Sequence, residues 1–182
     1  MTITPTVFDN LLIIEPVVFA DSRGYFMESF NGDAFRKAGI SFIPVQDNES
    51  KSSKGVIRGM HYQLRPFDQA KLIRVIEGKI LDVVIDIRKT SKTFGKWFAI
   101  ELDSENKKQL FIPKGFAHGF SVQSKSAVIQ YKCDNYYRPT AERGISINDP
   151  SLGIDWKTDL STAIISEKDL NHPNFHLAEN NF

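Results

Sequence analysis

His61, Lys71 and Tyr131 are the residues whose types could move a proton: an imidazole, an ammonium and a phenol, each inside a run of strand-forming residues. His61 lies in Val56-Ile57-Arg58-Gly59-Met60-His61-Tyr62-Gln63. Side chains alternate along a strand, so Ile57, His61 and Gln63 are expected to share one face, with His61 pointing inward. Arg58 falls on the opposite face unless Gly59 opens a β-bulge. By the same parity Lys71 lies with Ile73 and Val75, and Tyr131 lies with Ile129 and Cys133, both on inner faces. A strand histidine on its own is more often a hydrogen-bonded core residue than a catalyst, and a buried tyrosine more often bonds a backbone carbonyl. Lysine is seldom buried without a reason. Three inward polar groups together point to general acid/base chemistry with a cation beside it.

The elements that would position these groups read as short strands. Val7 to Phe19 reads as an early strand or edge hairpin able to pair with a partner chain, broken by Asp9-Asn10 and Pro16. Asp21-Ser22-Arg23-Gly24 is turn chemistry, and Tyr25 to Phe30 resumes a strand. Asn31 to Ala38 predicts a helix with an Asn or Asp cap and Gly39 as its stop. Ile40 to Val45 is expected to be a strand, and Gln46 to Gly55 a polar loop, mobile over Ser50 to Lys54. Lys71 to Ile76 and Ile80 to Ile87 carry a hairpin signal around Glu77-Gly78-Lys79. Neither face of the second arm is purely polar, as in a sheet packed within a sandwich or barrel. Trp97 to Leu102, Gln109 to Ile112, Gly119 to Gln123 and Ala127 to Asp134 continue the series, and Ser166 to Asp169 resembles a helix start limited by Pro173. The pattern predicts an all-β fold: an antiparallel sandwich or small barrel with a few short helices, in one domain over 1–182 with a looser C-terminal region from about residue 150.

With 25% charged residues and a formal net charge of +1, no strong field of one sign is available to hold nucleic acid or an anionic membrane. The single cysteine, Cys133, cannot form an internal disulfide. No secretory signal or long apolar run is evident, so a cytoplasmic location is expected.

Pro113-Lys114-Gly115-Phe116-Ala117-His118 resembles the second half of the cupin motif, in which the histidine binds a metal. Metal-binding cupins present two histidines one residue apart followed by a glutamate, because the ion needs three or four ligands held together. Here the residue after His61-Tyr62 is Gln63, so His61 and His118 read as acid/base or hydrogen-bonding groups and no metal is expected. Arg23-Gly24-Tyr25-Phe26-Met27-Glu28-Ser29-Phe30, Gln46-Asp47-Asn48, Arg58 to Gln63, Pro113 to Phe120 and Asn135-Tyr136-Tyr137 together resemble the dTDP-4-dehydrorhamnose 3,5-epimerase family from about Leu12 to Asp169. Met60 and Tyr62 stand where relatives often carry Leu and Phe, which conserves size.

The resemblance implies a cupin-type β-sandwich or jelly roll, a homodimer with exchanged N-terminal strands, and no metal or organic cofactor. It implies that His61 removes a proton with Asp169 orienting its ring, that Lys71 steadies an enolate, and that Tyr131 returns a proton from the opposite side. Arg23, Arg58 and Lys168 match positions used on a diphosphate and its surroundings. Phe26, Glu28, Gln46, Asn48, His118 and Glu142 match further substrate contacts, and Tyr137 matches an aromatic that stacks on thymine. The implied substrate is a dTDP-linked 4-keto-6-deoxyhexose inverted at carbons 3 and 5. The rivals are a related epimerase acting on one carbon or another nucleotide sugar, and a non-catalytic cupin that binds a sugar nucleotide. A metal-dependent cupin is disfavoured by Gln63.

Overall fold

The computed structural model describes residues 1–182. In chain order its strands are β1 (Thr2–Pro5), β2 (Leu12–Glu15), β3 (Val18–Asp21), β4 (Gly24–Met27), β5 (Gln46–Ser53), β6 (Ile57–Gln63), β7 (Lys71–Glu77), β8 (Lys79–Asp86), β9 (Trp97–Asp103), β10 (Gln109–Ile112), β11 (Phe116–Val122), β12 (Ser126–Cys133) and β13 (Glu142–Gly144). Helix α1 spans Gly32–Lys37 and α2 spans Glu167–Leu170. A six-stranded sheet in the order β1-β2-β10-β7-β12-β5 faces a five-stranded sheet in the order β13-β6-β11-β8-β9, and β3 and β4 form a separate hairpin. The paired strands are antiparallel, the β-sandwich expected of a cupin-type fold. No helix is long and apolar enough to cross a membrane.

Three apolar layers hold the sandwich together. Ile73, Val75 and Ile129 of one sheet meet Val84, Phe116 and Phe120 of the other in the central core. Beyond the five-stranded sheet, Met60, Tyr62, Val83 and Ile85 pack under Ile147 and Trp156 of the C-terminal region. Beyond the six-stranded sheet, Leu72 and Phe111 are covered by Phe35 of α1 and by Ile40 and Phe42. Helix α1 is capped as expected: the Asn31 side chain accepts from the amides of Asp33 and Ala34. The region after Asp149 has little regular structure but is anchored, because Asp149 accepts from the Phe175 amide at 2.6 Å and Trp156 Nε1 donates to the Ile147 carbonyl at 2.8 Å.

Three expectations about strands and their pairing are corrected. Gln46 to Ser53 is a full strand paired with β12 along its length, not a loop; it is a sheet edge, where polar residues are tolerated and hide the strand signal. Ile40 to Val45 forms no strand, since its apolar residues serve as a lid under α1. β7 and β8 do not pair as a hairpin but enter opposite sheets, β7 between β10 and β12, β8 between β11 and β9. Residues Ile80–Asp86 are all buried, so β8 is covered on both faces as well as paired on both edges. That is why neither face of it reads as polar.

Gly59 does open a bulge. In the β11–β6 ladder His118 stands opposite His61 and Phe120 opposite Arg58, so three steps along β6 match two along β11. The extra residue turns Arg58 to the same interior side as His61 and sends Ile57 outward to join Met60 and Tyr62, correcting the expectation that Ile57 shares the His61 face. Gly59 has φ +136°, and a Cβ there would lie 2.5 Å from Gly119 Cα. Gly59→Ala therefore combines backbone strain with a backbone clash and should destabilise the fold by about 2 kcal/mol or more. This lowers Tm by roughly 5 °C or more in thermal unfolding followed by circular dichroism. An unchanged Tm would show that the bulge does not need glycine.

Candidate active site

A cavity of about 300 Å3 opens between the two sheets, lined by Gln46, Asn48, His61, Lys71, Tyr131 and Glu142 among others. His61 comes from β6 on the five-stranded sheet, whereas Lys71 of β7 and Tyr131 of β12 come from the six-stranded sheet. The imidazole therefore stands on one wall, and the ammonium and phenol stand on the other. A wider groove of about 820 Å3 runs beside α1, but it gathers no comparable acid/base set.

His61 is held from far along the chain. Its Nε2 lies 2.8 Å from Asp169 Oδ1, and Asp169 Oδ2 accepts the Gly59 amide at 3.1 Å. Asp169 is placed by α2, whose cap Ser166 accepts from the Asp169 amide. Burial pushes the Asp169 carboxyl up, but the hydrogen bond and charge of His61 and the Gly59 amide outweigh it and leave it below the ordinary range. An ionised carboxylate can only accept, so the shared proton sits on His61 Nε2 and the free lone pair is on Nδ1.

On the facing wall, Lys71 stands opposite Cys133 and Ile112 in its ladders and makes no ion pair within the chain. Burial lowers its ammonium pKa, with Cys133, Asp82 and Glu142 opposing. Tyr131 stands between Asn48 and Ile73, and burial pushes its phenol up, which keeps a proton on it to donate. At the rim, Glu142 Oε2 accepts from both Tyr137 Oη and Lys168 Nζ at 2.5 Å. That hydrogen bond, ahead of burial, raises the Tyr137 phenol to about 12. Burial acts to raise Glu142, yet Lys168 and Tyr137 bring it below its usual value.

Several groups were not evident from the sequence. Gln63 is a clamp, its Nε2 bonded to the carbonyls of Phe67 and Tyr136 and its Oε1 accepting the Arg138 amide at 2.6 Å. With Gln46 Oε1, which accepts the Tyr137 amide, it fixes the segment that presents Tyr137. Asp82 is fully buried and bonds His118 Nε2 at 2.9 Å while its Oδ1 has no partner. His118 stands opposite His61 in the ladder, on the same interior side, buried and outside the cavity lining. With Gln63 tied to backbone at both ends and His118 to Asp82, the cupin metal positions are engaged otherwise. His172 sits edge-on to His61 with ring centroids 5.5 Å apart, and burial followed by the His61 charge lowers its pKa.

Three expected contacts lie away from the cavity within one chain, and a fourth, Arg58, stands close enough for its charge to act on Tyr131 without lining the cavity. Arg58 is exposed and donates from Nε to Ser52 Oγ at 3.0 Å. Arg23 and Phe26 are on the β3–β4 hairpin, with Arg23 bonded to Asp21 and Phe26 66% exposed. Glu28 follows that hairpin and accepts from Asn31.

Known proteins resemble this chain along nearly its whole length. The family model described as dTDP-4-dehydrorhamnose 3,5-epimerase matches residues 5–176. A Shigella flexneri dTDP-4-dehydrorhamnose 3,5-epimerase is 50% identical over 176 residues, 96% of each chain. The crystal structure of the Elizabethkingia anophelis enzyme of that name superposes with a TM-score of 0.92 at 48% identity, covering 97% of both chains. A Legionella pneumophila dTDP-6-deoxy-D-glucose-3,5-epimerase solved with dTDP-4-keto-L-rhamnose gives a TM-score of 0.92 at 46% identity, covering 97% of this chain and 93% of that one.

The Asp169 shift has a consequence for acid stability. A carboxyl held below its unfolded value stabilises the fold fully above the unfolded pKa, and this contribution is lost as pH falls through the folded one. Asp169→Asn should therefore show a shallower loss of stability as pH falls below about 4, measured by urea unfolding across a pH series. Parallel acid limbs for parent and variant would remove Asp169 from that dependence.

Proposed function

The chain belongs to the dTDP-4-dehydrorhamnose 3,5-epimerase family, and from that premise we propose how its residues invert carbons 3 and 5 of dTDP-4-dehydro-6-deoxy-D-glucose to give dTDP-4-dehydro-L-rhamnose. The observation that carries the reading is the opposed placement of His61 against Lys71 and Tyr131 across one cavity. The carbon-4 ketone acidifies the hydrogens on its two neighbours. His61, oriented by Asp169, takes one of these protons, and the electron pair moves onto the ketone oxygen as an enolate. Lys71 stabilises that oxygen charge. Tyr131 then delivers a proton to the opposite face of the same carbon; His61 loses its proton to solvent and Tyr131 regains one, and the second carbon follows by the same steps. Proton transfer alone balances the reaction, so this reading assigns no step to a metal or organic cofactor.

The nucleotide is read as lying along the rim. Tyr137 would stack on thymine, Gln46, Asn48 and Glu142 would contact the sugar nucleotide, and Arg58 and Lys168 would face the diphosphate, the guanidinium fork of Arg58 matching phosphate oxygens and Lys168 adding a point charge. His118 would act from beside the cavity, holding Asp82 where its charge acts on Lys71. Arg23, Phe26 and Glu28 are assigned to a partner's cavity in a homodimer. Supporting this, the β3–β4 hairpin stands apart from both sheets and exposes Phe19 and Phe26 at 63% and 66%. A cytoplasmic location completes the reading, in keeping with a lone Cys133 that has no disulfide partner.

In deuterium oxide, exchange into the 4-keto sugar nucleotide followed by NMR should appear at both carbon 3 and carbon 5; exchange at one carbon would support a narrower epimerase and none a binder. His61→Ala should slow this exchange about 10²- to 10⁴-fold or more while dTDP affinity holds, and intact exchange would remove His61 from the mechanism. The dimer assignment is tested by mixing inactive His61→Ala subunits with Arg23→Glu subunits after co-expression. If the hairpin acts on the partner, the heterodimer contains one site free of both lesions and turnover reappears. Mixed subunits that stay inactive would place the hairpin's action within its own chain.

A further inference from the structure

The proposed epimerisation gives His172 no step, yet its ring completes a cluster around the base. Ligand atoms of His61, Asp169 and His172 all lie within 4.8 Å of one another. Asp169 and His172 are three residues apart, one turn along α2 and its exit, while His61 comes from β6. His172 Nδ1 is buried without a hydrogen-bond partner, an unusual state for a polar ring atom. Its ring fills the space over Gly144, the residue paired with His61 in the β13–β6 ladder, where any Cβ would collide with it. The room for this imidazole is therefore built into the strand beside the base.

We propose that His61, Asp169 and His172 bind a borderline divalent transition ion, Zn2+ being the fitting case, and that occupancy silences the enzyme by taking the base out of use. Two imidazoles and one carboxylate suit Zn2+ and disfavour Mg2+ and Ca2+, which prefer oxygen ligands. Tetrahedral bonds of about 2.0 to 2.1 Å set ligand atoms roughly 3.4 Å apart, so His61 Nε2 and Asp169 Oδ1, now 2.8 Å apart, open slightly around the ion, and His172, within 4.8 Å of both, closes on it. The ring proton of His61 passes from Nε2 to Nδ1, so that Nε2 bonds the ion while the Nδ1 lone pair that served as the base is occupied by the proton, and Asp169 exchanges a hydrogen bond for a metal bond. The His61 side chain is 31% exposed, which leaves a route and a water position from the cavity. Lys168, the nearest cation in sequence, is paired with Glu142, so it does not oppose a second positive charge alone. This site differs from the cupin positions at Gln63 and His118. Ion binding does not depend on the proposed function; only the loss of turnover does, since it rests on His61 being the base.

Isothermal titration of the full chain with ZnCl2 in phosphate-free buffer should give one site per subunit, with turnover lost over the same range and restored by a chelator. His172→Gln should weaken Zn2+ binding about tenfold or more and shift the inhibition midpoint equally, with basal turnover retained. His172→Phe, which keeps an aromatic ring against His61 and Gly144, should behave the same way, and His176→Gln should match the parent. Loading with Co2+ should give visible bands that both His172 variants lose. Absence of stoichiometric binding, or binding undiminished in both variants, would overturn the site. Binding that depends on His172 yet leaves turnover intact at saturation would uphold the site and count against His61 as the base.

Discussion

One carboxylate joins the two halves of this molecule's chemistry. Asp169 accepts the amide of Gly59 with one oxygen and the imidazole of His61 with the other. The same side chain thus satisfies the strand where it is bulged and fixes the tautomer two residues later. Both contacts depend on the bulge, because an unbroken β6 would carry Arg58 and His61 to opposite faces. The bulge in turn depends on glycine at 59 and 119, whose α-carbons leave no space between them for side chains.

Around that junction the sandwich separates two kinds of environment. The central layer is aliphatic and aromatic along most of its length and becomes polar only at the end where β6, β7 and β12 face each other. Burial there acts oppositely on the two facing groups, favouring the uncharged form of both: it keeps the Tyr131 phenol protonated and makes the Lys71 ammonium easier to deprotonate. Lys71 has no resident counter-ion within the chain, so a developing negative oxygen would be its first close partner. The rim is built differently, from exposed charges knotted through Glu142.

Much of this was legible in residue order, and the misses share physical causes. The inward direction of Lys71 and Tyr131 followed from parity because their neighbours Ile73, Val75 and Ile129 are core residues. Ile57 was misplaced because a bulge changes parity by one, and glycine signals the bulge without fixing where the extra residue falls. β5 was hidden because a sheet edge needs no apolar face, and β7 and β8 read as a hairpin because a corner between sheets has the same local turn chemistry. His172 lies in a segment with no periodicity. Its one available signal was the three-residue spacing from Asp169, which means little until α2 is known to be helical.

The tail also sets an order of events in synthesis. Every strand of the two sheets emerges from the ribosome before Asp169 does, so the sandwich can close around an imidazole that has no orienting partner. Trp156, which covers Met60 and Tyr62, and α2 both follow the last strand in the chain. The strands of the sandwich and the residue that readies its base thus belong to separate stretches of chain, so a chain cut before α2 would keep every strand and lose the contact that orients His61, 108 residues away.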